Sequence, residues 1–294
     1  MPEIGNISRA HECIHHPLRK QGGNLISILG PLTILDRNSV PVQVAPKPRQ
    51  VLALLATHPG QLIPITSIAR ELWDDPPRSA TTTIQTYVGQ LRKILATALE
   101  VEVDVVAEKI LVTETGGYAL HVGADQLDVL EYVETGNLGK AAVRSGDDEE
   151  GLRLISRALS MWRGPALANV EAGRILQGQV ARLEECRLCC HEHRVVAALR
   201  LGDHHEVVSQ LVELTSAYPL HENLHGHLML ALYRCGRRPE ALITFQNLRA
   251  RLVDELGLDP SPALMQLHQA VLSSDASLHL PRTVGLAAWS GVAA

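Results

Sequence analysis

The sequence has none of the long apolar stretches that mark membrane or secreted proteins. No run of eighteen apolar residues occurs, so no membrane-spanning helix is predicted. The N-terminus, which includes His11, Glu12, His15 and His16, lacks the apolar core of a signal peptide. The five cysteines are an odd number in a long chain without a secretion signal, which argues against a disulfide framework. We therefore expect a cytoplasmic protein that does not contact a membrane.

Strong positive charge and a phosphate-binding loop are also missing. The net charge of −5 argues against a protein covered in nucleic acid, although six Lys or Arg against three acids between residues 45 and 95 make that stretch mildly basic. No GxxxxGK motif occurs and no phosphorylation receiver is recognisable, so neither an ATPase module nor a phosphorylation switch is expected in this chain. The length of 294 residues and the 46% hydrophobic content predict two globular domains.

One literal enzyme motif lies near the N-terminus. His11, Glu12 and His15 match HExxH, which places two zinc ligands one helical turn apart with a glutamate as base. The context argues against a zinc hydrolase, because Pro17 ends any helix two residues later and Gly22 and Gly23 follow. We expect residues 1–24 to be a mobile leader with no metal and no catalytic role.

An amphipathic helix is predicted from Pro76 to Leu95. Its apolar residues Ile84, Val88, Leu91 and Leu95 recur every three or four positions and mark the side that packs on a core. The opposite face carries hydroxyl and amide side chains with a lysine near the end. Such side chains suit the base edges of a DNA major groove. A polar surface helix is the alternative interpretation.

The segments around this helix predict a small α+β domain. Alternating apolar residues between Leu25 and Val44 indicate three or four short antiparallel strands. Two helices follow, one starting near Pro48 and one with Thr66 as its N-cap. After the amphipathic helix, residues 101–106, 109–112 and 119–122 are predicted to be strands. A sheet, three helices and a closing hairpin are the order of a winged helix with an extra N-terminal sheet.

The residues themselves resemble a known family. KPRQVLALL, IARELWDDPPRSATTTIQTYVGQLRKIL and ETGGYAL fall in the order found in the OmpR-type DNA-binding domain of the antibiotic regulatory proteins of streptomycetes, the SARP family. The resemblance covers residues 25–122. It implies that the third helix enters the major groove and that the hairpin, or wing, reaches an adjacent minor groove.

The resemblance assigns roles to particular positions. Base contacts are implied for Thr82, Thr83, Gln85, Thr86 and Gln90. Phosphate contacts are implied for Lys47, Arg49, Arg78, Tyr87, Arg92 and Lys93. The wing turn is expected at Thr115, Gly116 and Gly117. Gly89 lies in the middle of the amphipathic helix, although glycine is a poor helix former. Either the backbone approaches DNA closely there, or the helix is weakened.

The second half of the chain predicts an all-α, tetratricopeptide-like domain. Gly202 and Gly236 are 34 residues apart, each closes a predicted helix, and each is followed at the fourth position by a glutamate; Gly146 begins a third, less regular copy. This part resembles the bacterial transcriptional activator domain of the same family. We assign residues 123–275 to it and residues 276–294 to a flexible tail.

A metal site on the long helix near residue 190 is a weaker interpretation. Cys186, Cys189, Cys190, His191 and His193 lie inside one helical pattern, whereas tetrahedral sites usually use two separated clusters. Buried cysteines packing as small apolar residues are favoured, and no cofactor is expected.

Together these features predict a transcriptional activator rather than an enzyme. The resemblance implies binding to direct repeats in double-stranded promoter DNA, a homodimer on DNA, association with the nucleoid, and recruitment of RNA polymerase holoenzyme through its sigma factor at an antibiotic gene cluster. The alternative is a helical-repeat scaffold for protein interactions that has no specific DNA binding.

Overall fold

The computed structural model describes residues 24–279. Within this range the chain forms two compact units. Residues 24–132 and 161–184 form the first unit, and residues 133–160 and 185–279 form the second. The predicted domains at 25–122 and 123–275 follow chain order, whereas packing adds the segment 161–184 to the first unit.

A small antiparallel sheet opens the first unit. Strands β1 (Ile26–Ser27), β2 (Thr33–Leu35) and β3 (Pro41–Val42) pair in that order, with Ile34 opposite both Ile26 and Val42. The prediction of three or four short antiparallel strands is therefore confirmed.

The winged helix follows the sheet. Its elements are α1 (Pro46–Ala56), β4 (Ile63–Pro64), α2 (Ile65–Leu72), α3 (Ala80–Leu99), α4 (Val103–Lys109), β5 (Leu111–Glu114) and β6 (Gly117–Leu120). The second sheet has the order β4-β6-β5, and the β5–β6 hairpin is the wing. The predicted fold class, a winged helix with an N-terminal sheet followed by a helical domain, is confirmed.

Three local predictions were wrong. Residues 101–106 are not a strand, because Glu100 closes α3 in the left-handed conformation and Val103 then starts the short helix α4. Their alternating valines imitate a strand, but tertiary packing overrides this weak preference. Helix α3 begins at Ala80 rather than at Pro76. Pro76 precedes Pro77 and therefore avoids the helical region, and a turn closed by the Ala80 N–H on the Pro77 carbonyl comes before the helix. The N-cap of α2 is Pro64, not Thr66.

The segment 161–184 is attached to α2 through a buried carboxylate. Glu71, only 4% exposed, accepts hydrogen bonds from the backbone N–H groups of Gly173 (2.6 Å), Ile175 (2.9 Å) and Leu176 (3.3 Å). These groups lie at the start of helix α7 (Arg174–Leu201), where N–H groups have no partner within the helix. A Cβ atom on Gly173 would collide with the Glu71 carbonyl oxygen, so glycine is required for this approach. A negative charge at a helix N-terminus is also favourable to the helix dipole.

A second buried carboxylate joins the residues just after β1 to a helix that begins a hundred positions later. Asp128 begins α5 (Asp128–Ser145) and accepts hydrogen bonds from the N–H groups of Ile28 (2.8 Å) and Leu29 (3.1 Å). Burial raises the pKa of Asp128, while these hydrogen bonds and the nearby Arg163 guanidinium, 3.7 Å away, oppose the rise. The N-terminal sheet is thus fixed at its edge by polar contacts as well as by apolar packing.

The second unit consists of helices. After α5 come α6 (Asp148–Ser160), α7, α8 (His204–Ala217), α9 (Glu222–Arg234), α10 (Arg238–Leu256), α11 (Pro262–Ser273) and a 3-10 turn at Ala276–His279. Helix α9 packs against α8, α10 and α11, and its buried Leu228, Met229 and Leu232 lie in one apolar core. No helix within residues 24–279 is both long and apolar enough to cross a bilayer.

The glycine repeat seen in the sequence has a common backbone structure. Gly146, Gly202 and Gly236 all have positive φ, at 88°, 97° and 76°. In each copy the next residue donates its N–H to the carbonyl five residues earlier, at 2.9, 3.0 and 2.9 Å, which is the closing bond of a Schellman motif. The three copies therefore end their helices in the same way.

An arginine two residues before the glycine connects successive copies. Arg200 donates to the carbonyl of Val143, and Arg234 donates to the carbonyl of Leu199, both at 3.1 Å. Each acceptor lies three residues before the glycine of the preceding copy and belongs to the last turn of a helix, where carbonyls lack the regular helical donor four residues later. Each copy thus supplies a hydrogen-bond donor to a carbonyl at the end of the helix in the copy before it.

Removing the Glu71 carboxylate should destabilise the first unit. We expect Glu71→Ala to lower the free energy of unfolding by about 3 kcal/mol, because three N–H groups at the start of α7, one buried and two partly buried, lose a charged acceptor. Glu71→Gln keeps one carbonyl oxygen and should cost about 1 kcal/mol. Urea denaturation measures both, with the exposed Glu108→Ala as control. Equal stability of Glu71→Ala and Glu108→Ala would contradict this role.

Buried His227 should make the second unit sensitive to acid. Burial, assisted by the charge of His221, lowers the pKa of His227 from 6.5 to about 4. Below pH 6.5 the His227 ring takes up a proton in the unfolded chain but not in the folded chain. The contribution of His227 to the free energy of unfolding is therefore fully present above that pH and is lost as the pH falls. We expect the His227 contribution to fall by about 2 kcal/mol between pH 7.5 and pH 5.

The measurement is urea denaturation across this pH range for the wild type and His227→Gln. The loss of stability with falling pH should be smaller in His227→Gln by that amount. His205→Gln, at an exposed position of α8, controls for removal of a histidine as such. Parallel pH profiles for wild type and His227→Gln would show that the site does not penalise the charged ring.

Candidate nucleic-acid interface

Helix α3 has one buried and one exposed face. The apolar residues predicted from the sequence, Ile84, Val88, Leu91 and Leu95, are each at most 1% exposed. They fix the rotation of the helix about its axis, because side chains on an α-helix repeat every 3.6 residues. The 20 residues of α3 contain no Asp or Glu. The outer face is therefore polar and free of negative side chains.

The predicted base-contacting residues lie on this outer face. Thr82, Gln85, Thr86 and Gln90 are exposed, and Thr83 at the edge is partly buried. The structure brings all five together on one helix, within about three turns. An amide such as Gln85 or Gln90 can donate and accept at once, which is the pattern needed to pair with adenine.

The threonine hydroxyls are partly used within the helix. Thr83 donates to the Ser79 carbonyl at 3.1 Å, and Thr86 donates to the Thr82 carbonyl at 3.0 Å. Such bonds to the preceding turn are common for threonine in helices. With their donors occupied, these side chains offer a methyl group and an acceptor lone pair to a ligand. That chemistry favours contact with a thymine methyl over donation to a base.

Gly89 lies at the centre of the outer face, between Thr86 and Lys93. A Cβ atom added at Gly89 would meet no other atom within 4 Å. Nothing in the fold therefore requires glycine here, although glycine weakens a helix interior by about 1 kcal/mol relative to alanine. The space in front of Gly89 is open, so a ligand can approach the helix backbone closely at this point.

Two of the predicted phosphate-contacting residues are engaged by the protein itself. The ammonium group of Lys47 donates to the carbonyl of Leu72 (3.2 Å) and to the Gln50 side chain (3.3 Å). The guanidinium group of Arg49 donates to the carbonyls of Val44 (2.6 Å) and Asn169 (3.1 Å). These contacts hold the start of α1 against its neighbours, and they compete with any phosphate.

Arg92 is engaged in a different way. Its Nε and Nη2 atoms donate to the Leu111 carbonyl at 2.9 and 2.8 Å, and Nη2 also donates to the Thr113 hydroxyl at 2.8 Å. In β6 the phenol of Tyr118 has a pKa raised by burial, which the positive charge of Arg92 opposes. Arg92 therefore joins α3 to the wing. No sequence pattern marks Thr113 as its partner.

Of the cations predicted to contact phosphate, Arg78 and Lys93 remain available. Both are exposed, and neither side chain forms a hydrogen bond or ion pair with any other part of residues 24–279. Arg78 precedes α3 and Lys93 lies on its outer face. Tyr87 is partly buried at the edge of the same helix. Arg78 and Lys93 are therefore free to bind an anionic group, one just before α3 and one on its outer face.

The wing turn is short and is held at its base. Thr115 is exposed, and Gly116 has a φ of 86°, which glycine adopts without strain. The Gly116 carbonyl accepts the N–H of Ile65 at 3.0 Å. Gly117 packs so closely under Ile63 that a Cβ atom would collide with the Ile63 carbonyl. Glycine is thus favoured at the two positions for different reasons: position 116 has a left-handed backbone, and position 117 packs closely against a neighbouring strand.

The other candidate sites are the two possible metal sites noted in the sequence. Within the described residues no three His, Cys, Asp or Glu side chains come together in a way that could hold a metal. Cys190 is buried and burial raises the pKa of the Cys189 thiol, as in apolar packing. The HExxH residues His11, Glu12 and His15 lie outside the described residues.

Family models match both parts of the chain. Residues 39–120 match the model described as "Transcriptional regulatory protein, C terminal", and residues 127–272 match the "Bacterial transcriptional activator domain". The matched families describe regulators of transcription rather than enzymes.

Individual proteins show the same relationship. The regulatory protein DnrI of Streptomyces peucetius is 41% identical over 251 residues, which cover 85% of this chain and 92% of DnrI. The regulatory protein AfsR of Streptomyces griseus is 36% identical over 87% of this chain, which spans 25% of AfsR. The structure of Mycobacterium tuberculosis EmbR in complex with a low affinity phosphopeptide superposes with a TM-score of 0.80 at 29% identity, covering 90% of this chain and 67% of EmbR.

The order of the two matched models, the winged helix with its polar outer helix face, and the identity to DnrI lead to one conclusion: the chain belongs to the SARP family of transcriptional regulators.

Proposed function

We propose that the chain binds promoter DNA in a sequence-specific manner by inserting the outer face of α3 into the major groove. The observation that supports this most is the face itself. Thr82, Gln85, Thr86 and Gln90 are exposed together, opposite a fully buried stripe, on a helix without acidic residues. An acidic residue there would repel the phosphates, and a mixed Glu and Lys face would indicate an ordinary solvated helix.

The roles within this site divide by chemistry. Gln85 and Gln90 read base edges through their amides, and the threonines contact thymine methyls. Arg78 and Lys93 attract phosphates, which positions the helix without reading sequence. Thr115 at the wing tip reaches towards the neighbouring minor groove. The phosphate roles assigned to Lys47, Arg49 and Arg92 have less support, because the protein already uses their donors.

The family membership supports a proposal for the wider function. We infer that protomers bind side by side as a dimer on direct repeats, recruit RNA polymerase holoenzyme through its sigma factor, and activate an antibiotic gene cluster at the nucleoid. Two protomers on adjacent repeats gain occupancy because binding of the first raises the effective concentration of the second. The activator domain supplies helical surfaces for contacts with the polymerase.

A helical-repeat scaffold without specific DNA binding is the competing function. Such a protein would bind DNA weakly and with almost no dependence on salt. A protein that contacts phosphates loses affinity steeply as salt rises, because counterions are released on binding. Titration of a duplex carrying the selected repeat at several salt concentrations separates the two functions.

Gln85→Ala should relax base specificity. The experiment selects random duplex DNA with the full chain, then measures binding of the selected duplex and of single-base variants. We expect the preference at one base pair to drop by about 1–3 kcal/mol, since one amide contact is lost. Lys93→Gln should instead weaken all sequences alike and reduce the salt slope by about 1. Gln246→Ala, an exposed amide on α10, is the control. The absence of any selected sequence would contradict the proposed function.

Gly89→Ala should stabilise the protein and weaken its complex with DNA. In the free protein the methyl group meets open space, so the free energy of unfolding should rise by up to about 1 kcal/mol. In the complex the same methyl would occupy the space where the helix backbone meets the groove. Urea denaturation and DNA titration are measured on the same variant.

The matched control for this prediction is Gly178→Ala. Gly178 lies inside α7, and a Cβ atom there also meets nothing within 4 Å. It should show the gain in stability without the loss of DNA affinity. If Gly89→Ala binds DNA as well as Gly178→Ala, the backbone at Gly89 does not approach the groove.

A further inference from the structure

We propose that Arg92 is a positioning residue that holds the wing at a fixed place relative to helix α3, and that it is not a phosphate contact. The contact itself is independent of DNA. Its consequence for recognition rests on the proposed function, because a winged helix reads a major and a minor groove at the same time.

The geometry of the guanidinium group supports this assignment. Two of its nitrogens donate to a single backbone carbonyl, Leu111, at the first residue of β5, and one of them also reaches the Thr113 hydroxyl. Leu111 and Thr113 are two residues apart on β5, close enough for one guanidinium group to reach the carbonyl of the first and the hydroxyl of the second. A planar fork with fixed donor directions meets both, whereas a flexible ammonium group forms a less defined contact.

The hydrogen bonds from Arg92 to the Leu111 carbonyl also provide a partner for a backbone group at the edge of the second sheet. Strand β5 is an edge strand, since β6 is its only neighbour within the described sheet of order β4-β6-β5. Carbonyls of an edge strand that point away from the neighbour have no ladder partner. Arg92 supplies that partner from α3. In this way the wing is held to α3 by side-chain hydrogen bonds and to β4 by the strand ladder.

The neighbouring residue provides a contrast. Lys93 is exposed on the outer face and has no partner within residues 24–279. Arg92 is partly buried and uses two of its three guanidinium nitrogens on the wing. Adjacent cations on one helix therefore have different roles, one facing the ligand and one facing the protein.

The spacing between α3 and the wing tip at Thr115 depends on Arg92. A wing that is not held can still contact a minor groove, but it must first be ordered, which costs affinity. Loss of the contact should therefore reduce affinity without removing a phosphate contact. The dependence of binding on salt concentration distinguishes these two effects.

The test compares four variants of the full chain: Arg92→Gln, Arg92→Lys, Thr113→Val and Lys93→Gln. Arg92→Lys keeps the charge but lacks the fork. Thr113→Val keeps Arg92 and its bond to Leu111, and it removes only the hydroxyl acceptor, so it tests the contact mildly if the Arg92 variants fold poorly. Amide hydrogen exchange of residues 111–120 in the DNA-free protein measures wing order, and titration of the selected duplex at several salt concentrations measures affinity.

We expect Arg92→Gln and Arg92→Lys to speed exchange in the wing by roughly tenfold, since a hydrogen bond to a charged group is lost. Thr113→Val should have a smaller effect in the same direction, and Lys93→Gln none. Affinity for DNA should fall roughly tenfold in Arg92→Lys with an unchanged salt slope, while Lys93→Gln should change the slope.

Other results would overturn the assignment. If Arg92→Lys restores wild-type affinity while Arg92→Gln lowers the salt slope by about 1, Arg92 is a phosphate contact. Unchanged wing exchange in both Arg92 variants would show that the hydrogen bonds do not hold the wing. If the wild type selects no DNA sequence, the proposed function fails, and the exchange measurement alone decides whether Arg92 positions the wing.

Discussion

The burial of one stripe on helix α3 is the constraint on which the candidate interface depends. Ile84, Val88, Leu91 and Leu95 are inserted in the core, and a rotation of the helix by one residue would bury polar side chains in their place. The core therefore determines which side chains face outward. Thr86, Gly89 and Lys93 are presented outward because of the packing of residues that never touch a ligand.

Polar side chains supply hydrogen-bond partners to backbone groups at helix ends and sheet edges, which apolar packing cannot do. Backbone groups at helix ends and sheet edges have no partner in their own element, and leaving them unpaired in a buried place costs free energy. Glu71 satisfies the start of α7, Lys47 the end of α2, Arg92 the edge of β5 and Arg234 the end of α7. Each contact also fixes the position of one element relative to another, so the same side chains provide both stability and geometry.

The sequence was sufficient where the signal is local and periodic. The apolar stripe of α3 and the glycine repeat at Gly202 and Gly236 depend on spacing alone, and the structure has both. The sequence was misleading at residues 101–106, because Val103, Val105 and Val106 belong to helix α4, where tertiary packing overrides their weak strand preference. It could not show that Glu71 reaches residues more than a hundred positions later, since that contact depends on how distant segments pack.

The same distinction applies to the cations of the candidate site. The family resemblance assigns phosphate contacts to five Lys and Arg residues alike, yet three of them, Lys47, Arg49 and Arg92, have donors bonded to carbonyl groups of the protein. A donor that must leave such a bond to reach a phosphate gains little net free energy. Of the cations assigned to phosphates, mainly Arg78 and Lys93 are available, so the assigned positions would supply only a small sequence-independent part of the affinity of one protomer. Base contacts and a second protomer on a neighbouring repeat would then have to supply the remaining binding free energy. A regulator that depends on these two contributions discriminates tandem sites from single ones.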